Sequence, residues 1–284
     1  MEAWFILLII VSIVLISYCI FGIYRNNDVK KQLYKNISPV SHTGKYQYIP
    51  KQIFQLVKDK NNIHPKFQAN MKHIKDLNPD WNYTIYDDDD MIEYMKNNFP
   101  PEILDVYNKI NPEYGPAKAD FFRYLLMYAE GGAYFDIKSA MEFPLSKLVQ
   151  HDDQYILSHW PCKCQVTHTD NEYGEFQQWY IITKPNHPYL KAVINQVIDN
   201  ITNYDLEKTG TGKLGVLKVT GPIAYTKAIL PILFDHPHRT FQTHEFIGLI
   251  FDNTENLIGG HDKLFSKTHY SKLETPIILN IVNT

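Results

Sequence analysis

The chain has 284 residues, enough for one large domain or two small ones. Of these residues 44% are hydrophobic and 21% are charged, and the net charge is −3. A nucleic-acid-binding domain would show a basic excess, so the composition argues for a globular protein with no nucleic-acid partner. The cysteines Cys19, Cys162 and Cys164 indicate neither a disulfide framework nor a four-ligand zinc site.

The N-terminal segment predicts a membrane anchor. Residues 3–24 contain no charged side chain, and a helix of that length spans roughly 33 Å, enough to cross the hydrocarbon core of a bilayer. A cleaved signal peptide would have a shorter apolar core, a basic start and a small-residue cleavage site. This chain instead starts with Met1-Glu2-Ala-Trp and ends the apolar run on bulky residues. We expect residues 1–24 to form an uncleaved single span.

The side of the membrane stays open. Basic residues follow the span and Glu2 precedes it, and the positive-inside rule then favours a cytoplasmic domain. Three Asn-x-Ser/Thr sequons, at Asn36, Asn82 and Asn200, point instead to a lumenal domain.

After the anchor, the pattern predicts a stem and one domain. Residues 25–46 are polar with few apolar anchors, which is typical of a linker. In the domain at 47–284, short apolar runs alternate with helical periodicity. The predicted strands are 48–55, 81–86, 133–136, 154–158 and 178–182, and the predicted helices are 65–77, 87–98, 116–130, 187–201 and 221–233. This alternation predicts an α/β fold with a mainly parallel sheet.

Four consecutive acidic residues, Asp87 to Asp90, stand between a predicted strand and a predicted helix. Carboxylates at a helix N-terminus accept hydrogen bonds from free N–H groups and suit the helix dipole. Capping is therefore the preferred interpretation. A membrane-tethered hydrolase or nuclease that uses this cluster is an alternative.

The stretch from 116 to 138 carries the strongest chemical signal. It predicts a helix, a break at Gly131 and Gly132, and a strand that ends on Asp136, with Lys138 two residues further on. The glycines allow a tight turn and a close approach of the backbone. A carboxylate at such a strand end is costly to bury unless it is paired or holds a metal. It could bind Mn²⁺ or Mg²⁺ carrying substrate phosphates, or form a salt bridge to Lys138.

Asp120 and Arg123 lie three residues apart, so they project from one side of the predicted helix, away from its apolar stripe. Asp120 could accept hydrogen bonds from ribose or sugar hydroxyls. Arg123 could bind a phosphate or hold a carboxylate. A simple ion pair within the helix is the alternative.

These motifs, taken in order, resemble the glycosyltransferases with a DXD-type sugar-binding region. That family includes yeast initiating α-1,6-mannosyltransferases, inositol-phosphoceramide mannosyltransferases, α-1,4-galactosyl and N-acetylglucosaminyl transferases, and bacterial capsular enzymes. The matching segments are Ala119-Asp120-Phe-Phe-Arg123-Tyr124, Gly131-Gly132-Ala-Tyr134-Phe-Asp136, Ile49-Pro50-Lys51-Gln-Ile-Phe-Gln55, Pro79-Asp-Trp81-Asn-Tyr and Thr220-Gly221-Pro222.

The resemblance implies a GT-A fold, which is one Rossmann-like domain with a mixed sheet. It implies transfer of a hexose from a UDP- or GDP-sugar with retention at the anomeric carbon, usually with Mn²⁺, to a glycan, glycolipid or protein. Carried onto this chain, it places Asp120 and Arg123 at the donor sugar and ribose. It makes Asp136 the first acid of the DXD motif, near ribose and metal. It also favours a lumenal domain.

The resemblance implies further donor contacts. It places Gly132 and Tyr134 inside the donor-binding motif, and Phe54 and Gln55 beside the base, where the family often has His at the position of Phe54. It also implies a late metal ligand, which His269 matches.

One residue departs from the family pattern, because Lys138 stands where the second acid normally binds the metal. In a continuous strand, residues 136 and 138 would point the same way. Lys138 could neutralise the donor diphosphate and make the metal weak or dispensable. Alternatively, Asp136 could hold the ion with help from His261, Asp262 or His269. The departure also raises a second function, a catalytically silent GT-A domain that binds sugar or acts as a scaffold.

Acceptor binding has only a general signal. Trp160, Tyr173 and Trp179 could stack on an acceptor sugar, and they could equally belong to the core.

Overall fold

The computed structural model describes residues 48–162, 166–253 and 269–279. The chain divides into the units 1–38 and 39–284, and all described residues belong to the second. The predicted anchor and stem lie outside the described residues, as do Cys164, His261 and Asp262. Cys162 is disulfide-bonded, which the cysteine spacing did not predict.

The described elements alternate along the chain. The strands are β1 (Gln52–Leu56), β2 (Asn82–Tyr86), β3 (Gly132–Phe135), β4 (Ala140–Met141), β5 (Tyr155–His159), β6 (Tyr180–Thr183), β7 (Arg239–Thr243) and β8 (Leu249–Ile250). The α-helices are α1 (Pro65–Leu77), α2 (Asp88–Asn98), α3 (Pro101–Asn108), α4 (Gly115–Glu130), α5 (Leu145–Leu148), α6 (Val166–Thr169), α7 (Pro188–Thr202), α8 (Leu206–Thr209), α9 (Gly212–Val219) and α10 (Pro222–Ile229). Short 3₁₀ helices cover Leu230–Asp235, His244–Ile247 and Tyr270–Lys272.

The central sheet is mixed, with the strand order β2-β1-β3-β6-β5-β7. Strand β1 runs parallel to β2 and β3, β6 runs antiparallel to β3 and β5, and β5 runs parallel to β7. Strands β4 and β8 form a separate antiparallel pair. This architecture confirms the predicted α/β class. The carboxyl ends of the parallel strands β1 and β3 meet at one edge of the sheet, which brings Gln55 and Asp136 together.

The core lies where apolar side chains of the central strands meet helices on the sheet faces. Ile53, Ala133, Phe135 and Ile182 are fully buried. Helix α4 packs against β3, α7 and α9, and it is buried on nearly all of its circumference. The side that carries Asp120 and Arg123 is therefore covered as well.

The acidic run caps a helix, as the sequence predicts. Asp87 is the N-cap of α2, where its Oδ1 accepts from the Asp90 amide at 3.1 Å. The Asp90 Oδ2 accepts from the Asp87 amide at 2.8 Å in return. This reciprocal capping box satisfies two free N–H groups. It accounts for Asp87 and Asp90 as capping residues, the interpretation preferred from the sequence.

Some boundaries differ from the prediction. The helix predicted at 221–233 changes from α to 3₁₀ geometry at Leu230, because Pro231 has no N–H to donate into the helix. Helices α3 and α9 were not predicted. By length and composition, one continuous described stretch, Gly212–Asp235, could span a membrane, but half of it is buried in the domain, as in the core helix of a soluble protein.

Candidate active site

Arg123 is buried between two carboxylates. Its Nη2 lies 3.1 Å from Asp120 Oδ1 and 3.1 Å from Asp136 Oδ1. Its Nη1 donates to the backbone and side-chain oxygens of Gln178 at 2.9 and 2.7 Å. Burial by itself would lower the pKa of Arg123, but the carboxylates of Asp136 and Asp120 raise it above its ordinary value. The guanidinium thus stays charged and joins α4 to β3 and to the segment before β6.

Asp120 is the buried acid of this cluster. Its Oδ2 accepts from the Thr220 hydroxyl at 3.0 Å, and its Oδ1 accepts from Gln178 Nε2 at 3.2 Å. Burial raises the pKa of Asp120, and Arg123 opposes that rise. Both oxygens are therefore engaged within the domain, and they fix Arg123 in place. Donor contact by Asp120 stays a prediction.

Asp136 is the more accessible acid, with 26% of its side chain exposed. It follows β3, where its amide donates to the Trp179 carbonyl at 2.8 Å. Gln55 Nε2 donates to its carbonyl at 3.1 Å, and the Tyr134 hydroxyl donates to its Oδ1 at 3.0 Å. Backbone and side chain are thus both held, while part of the carboxylate stays open to a substrate.

The remaining predicted donor residues support this cluster. Tyr134 lies under Arg123, with the guanidinium carbon 4.7 Å from the ring centroid. Gln55 is buried and accepts a hydrogen bond from the Tyr83 hydroxyl. Phe54 is also buried, with its ring on Tyr86. Their direct contact with a donor stays a prediction.

Gly132 makes the predicted close approach, and its partner is the neighbouring strand. It has a φ of +94°, and a Cβ added there would lie 2.6 Å from the Gln52 carbonyl oxygen. The glycine therefore allows β3 to lie close to β1, which places Asp136 beside Gln55.

The strand does not continue to Lys138, so Lys138 and Asp136 do not share a strand face. Strand β3 ends at Phe135, and the Ser139 amide donates to the Asp136 carbonyl at 2.9 Å, which closes a turn. The Lys138 ammonium lies 3.4 Å from Asp252 Oδ2.

Comparison with known proteins identifies the family. The protein-family model described as "Glycosyltransferase sugar-binding region containing DXD motif" matches residues 65–155, which include Asp120, Arg123 and Asp136. This part of the chain is therefore similar to the members of that glycosyltransferase family. The family predicted from the sequence is thereby confirmed.

Curated relatives agree with this assignment. The initiation-specific alpha-1,6-mannosyltransferase of Schizosaccharomyces pombe is 27% identical over 201 residues, covering 65% of this chain and 49% of that protein. Its Candida albicans counterpart is 26% identical over 219 residues, covering 69% and 55%. Inositol phosphoceramide mannosyltransferase 3 of S. pombe is 27% identical over 175 residues, covering 62% and 43%. The chain spans about half the length of the curated relatives it matches.

A solved structure, the PaToxG glycosyltransferase, aligns with a TM-score of 0.48 and 19% identity, covering 75% of this chain and 79% of that chain.

A divalent metal is usual for DXD glycosyltransferases, but the described side chains do not fit one. They contain no group of three or more His, Cys, Asp and Glu residues placed to hold an ion. Asp136 Oδ1 is already engaged by Arg123 and Tyr134. A lysine ammonium two residues later adds a positive charge where the family has an anionic ligand, and Mn²⁺ and Mg²⁺ require oxygen ligands.

His269, the predicted late ligand, caps a short helix. Its Nδ1 accepts from the Ser271 amide at 3.3 Å and contacts the Ser271 hydroxyl at 2.7 Å. Metal binding by His269 stays a prediction.

The charges of the central cluster act on the adjacent Tyr270. Burial, and then the nearby carboxylates of Asp120 and Asp136, raise the pKa of its hydroxyl to about 12. The sequence analysis did not select this tyrosine.

Gln178 and Asp252 contact the predicted site residues, although the sequence analysis did not select them. Gln178 bridges Asp120 and Arg123, and Asp252 pairs with Lys138. Both contacts join residues more than 50 positions apart, so no local pattern signals them. The sequence analysis placed Gln178 only as the first residue of the predicted strand 178–182.

The aromatic candidates for acceptor binding separate into two kinds. Trp179 is 3% exposed and belongs to the core, whereas Tyr173 is 52% exposed. Trp160 is partly buried, with its ring 4.7 Å from that of Phe251. Tyr173 and Trp160 therefore remain candidates for an acceptor platform.

A buried carboxyl at Glu175 lies three residues before Gln178. Its side-chain Oε2 has no hydrogen-bond partner among the described residues, and the residue is 6% exposed. Burial raises the pKa of Glu175 to about 7, and Lys213 opposes that rise. The folded state therefore favours the protonated carboxyl.

Glu175→Gln should change how the stability of the full chain depends on pH. A carboxyl whose pKa is higher when folded contributes stability below its unfolded pKa and loses it as the pH rises through the folded value. At pH 8 the variant should be more stable than wild type by up to about 3 kcal/mol, and near pH 4, below the unfolded pKa, the difference should nearly vanish. Urea unfolding at both pH values measures this.

The exposed Glu142→Gln is the matched control and should show no pH-dependent difference. Equal unfolding midpoints for wild type and Glu175→Gln at pH 8 would contradict the assignment.

Proposed function

We propose that this protein is a membrane-anchored, retaining glycosyltransferase that moves a hexose from a UDP- or GDP-sugar to a hydroxyl of a glycan, glycolipid or protein. The observation that carries the proposal is the cluster of Arg123, Asp120, Asp136 and Gln178, which the fold assembles around the family motif. The adopted fold would be GT-A.

The cluster suits donor binding because it fixes an accessible carboxylate in advance. Arg123, Tyr134 and Gln55 hold Asp136 from three sides. A carboxylate held in this way can accept hydrogen bonds from sugar or ribose hydroxyls without reorganising, and such preorganisation contributes strongly to catalysis.

The reaction needs a cation near the leaving group. The bond between the anomeric carbon and the diphosphate oxygen breaks, and a bond to the acceptor oxygen forms on the same face. The acceptor proton passes to the departing diphosphate. Negative charge develops on that diphosphate, and a fixed positive charge stabilises it. Lys138 is our candidate for this role.

Relatives guide the choice of donor. The curated relatives are mannosyltransferases by name, so a mannosyl donor is the first to test. Residues 1–24 would tie the enzyme to a bilayer, with the side of the membrane still open.

The second candidate function, a catalytically silent sugar-binding or scaffold domain, is favoured by Lys138 at the position of the second acid. Turnover distinguishes the two functions, because both predict donor binding and only the enzyme hydrolyses or transfers the sugar.

The test is slow donor hydrolysis by the full chain across UDP- and GDP-sugars. One donor should be consumed, and Asp136→Ala should lower its rate by about 100-fold or more, the usual cost of removing a preorganised polar group at a reacting centre. Asp88→Ala, which removes an acid from the first turn of α2, should leave the rate unchanged. Donor binding without hydrolysis would support the silent domain. A rate unaffected by Asp136→Ala would contradict the assigned site.

A further inference from the structure

The Lys138 side chain, in the turn after β3, packs against Asp252 and Phe251. Its ammonium lies 3.4 Å from Asp252 Oδ2 and 3.9 Å from the centroid of the Phe251 ring. The two charged side chains are 21% and 17% exposed. An ion pair this sheltered is screened less by salt than one at the surface, so Lys138 is more constrained than an ordinary surface lysine.

Two asparagines fix the backbone of the same turn. Asn70, which is buried, donates from Nδ2 to the carbonyls of Ile137 at 3.1 Å and Ser139 at 2.7 Å. Asn253 donates from its amide to the Lys138 carbonyl at 2.9 Å and from Nδ2 to Asn70 Oδ1 at 3.0 Å. The turn is therefore held by α1 on one side and by the segment after β8 on the other.

An ammonium in this position suits a diphosphate better than a metal. Lysine has three N–H donors and no acceptor. Asp252 and the face of Phe251 can engage one side of the ammonium and leave donors for phosphate oxygens. An ammonium offers no acceptor atom to a divalent ion, which requires oxygen ligands.

We propose that Lys138 binds the diphosphate of the donor in place of a divalent cation, and that Asp252 positions its ammonium. This inference rests on the proposed function. It makes the enzyme independent of Mn²⁺ at the step where its family relies on an ion.

The first test measures binding of UDP and GDP to the full chain, with Mn²⁺ and with EDTA. One nucleotide should bind with affinities that agree within about twofold in the two conditions, whereas Lys138→Met should weaken binding about 10- to 100-fold, the range for a lost charge-assisted hydrogen bond. Lys147→Met, the same change at an exposed lysine on α5, should have no effect.

The second test restores the family pattern with Lys138→Asp. The new carboxylate, beside Asp252, would supply oxygen ligands, so nucleotide binding should become dependent on Mn²⁺. Electron paramagnetic resonance of Mn²⁺ should show ion binding by this variant that wild type lacks.

A double-mutant cycle tests the positioning role of Asp252. Asp252→Asn should lower nucleotide affinity severalfold when Lys138 is present. In the Lys138→Met background the same change should leave the affinity unchanged, because the effects of coupled residues are not additive. A purely structural role would give equal losses in both backgrounds and would overturn the role of Asp252.

The possible failures are distinguishable. Wild-type binding that disappears in EDTA would overturn this inference and leave the proposed function standing. Absence of UDP and GDP binding in both conditions would overturn the proposed function and this inference together.

Discussion

Arg123→Met should lower the free energy of unfolding by about 3 to 5 kcal/mol and abolish donor turnover, because it leaves buried carboxylates without their cation. Arg123 contacts both Asp120 and Asp136 at 3.1 Å, and it is as buried as Asp120. Urea unfolding and the donor-hydrolysis assay measure the two effects.

The loss should depend on pH in a defined direction. Burial already raises the pKa of Asp120, and removing the opposing charge of Arg123 should raise it further. A carboxyl with a raised folded pKa loses its stabilising contribution as the pH increases through that value. The deficit of Arg123→Met should therefore be larger at pH 8 than at pH 5.

Arg239→Met is the matched control. Arg239 lies on β7, away from the cluster, and pairs with Asp153. The Arg239 side chain is 30% exposed. Its replacement leaves Asp153, whose side chain is 2% exposed, without its cation, so it should also cost stability, but it should leave UDP and GDP binding intact. Equal deficits for Arg123→Met at the two pH values would contradict the buried-charge explanation.

Gly132→Ala should destabilise the fold by about 3 kcal/mol or more, from left-handed backbone strain and a clash between strands. The φ of +94° is unfavourable for any residue with a Cβ, and the added carbon would lie 2.6 Å from the Gln52 carbonyl oxygen. Relief would require β3 to move away from β1, and Asp136 would move with it. Urea unfolding should show an earlier midpoint, and donor hydrolysis should fall.

Gly115→Ala provides the contrast. An added Cβ at this first residue of α4 meets nothing within 4 Å, so the change should be neutral or stabilise the fold by up to about 1 kcal/mol. Similar midpoints for the two variants would show that the β1–β3 approach is not constrained as described.

Local patterns predicted the parts of the fold that depend on neighbours in the chain. The capping role of Asp87 follows from its place before α2, and the break at Gly131 follows from the loss of helical periodicity. The motif with Asp120, Arg123 and Asp136 also identified the family. These features depend on spacing and residue chemistry within a few turns of chain.

Contacts between distant segments were beyond such patterns. Gln178 bridges Asp120 and Arg123 because β6 pairs with β3, and that pairing is visible only in the folded sheet. The turn after Phe135 likewise depends on Asn70, more than 60 residues earlier in the chain.

The amino-acid sequence by itself determined the α/β class, the family motif and the unusual lysine at its second acidic position, because periodicity and residue type are local properties. The tertiary structure decided what the lysine contacts. It set Lys138 against Asp252, more than 100 residues away, and surrounded Arg123 with carboxylates from two elements. Electrostatic partners are chosen by proximity in space, which is determined only when the sheet and its helices pack together.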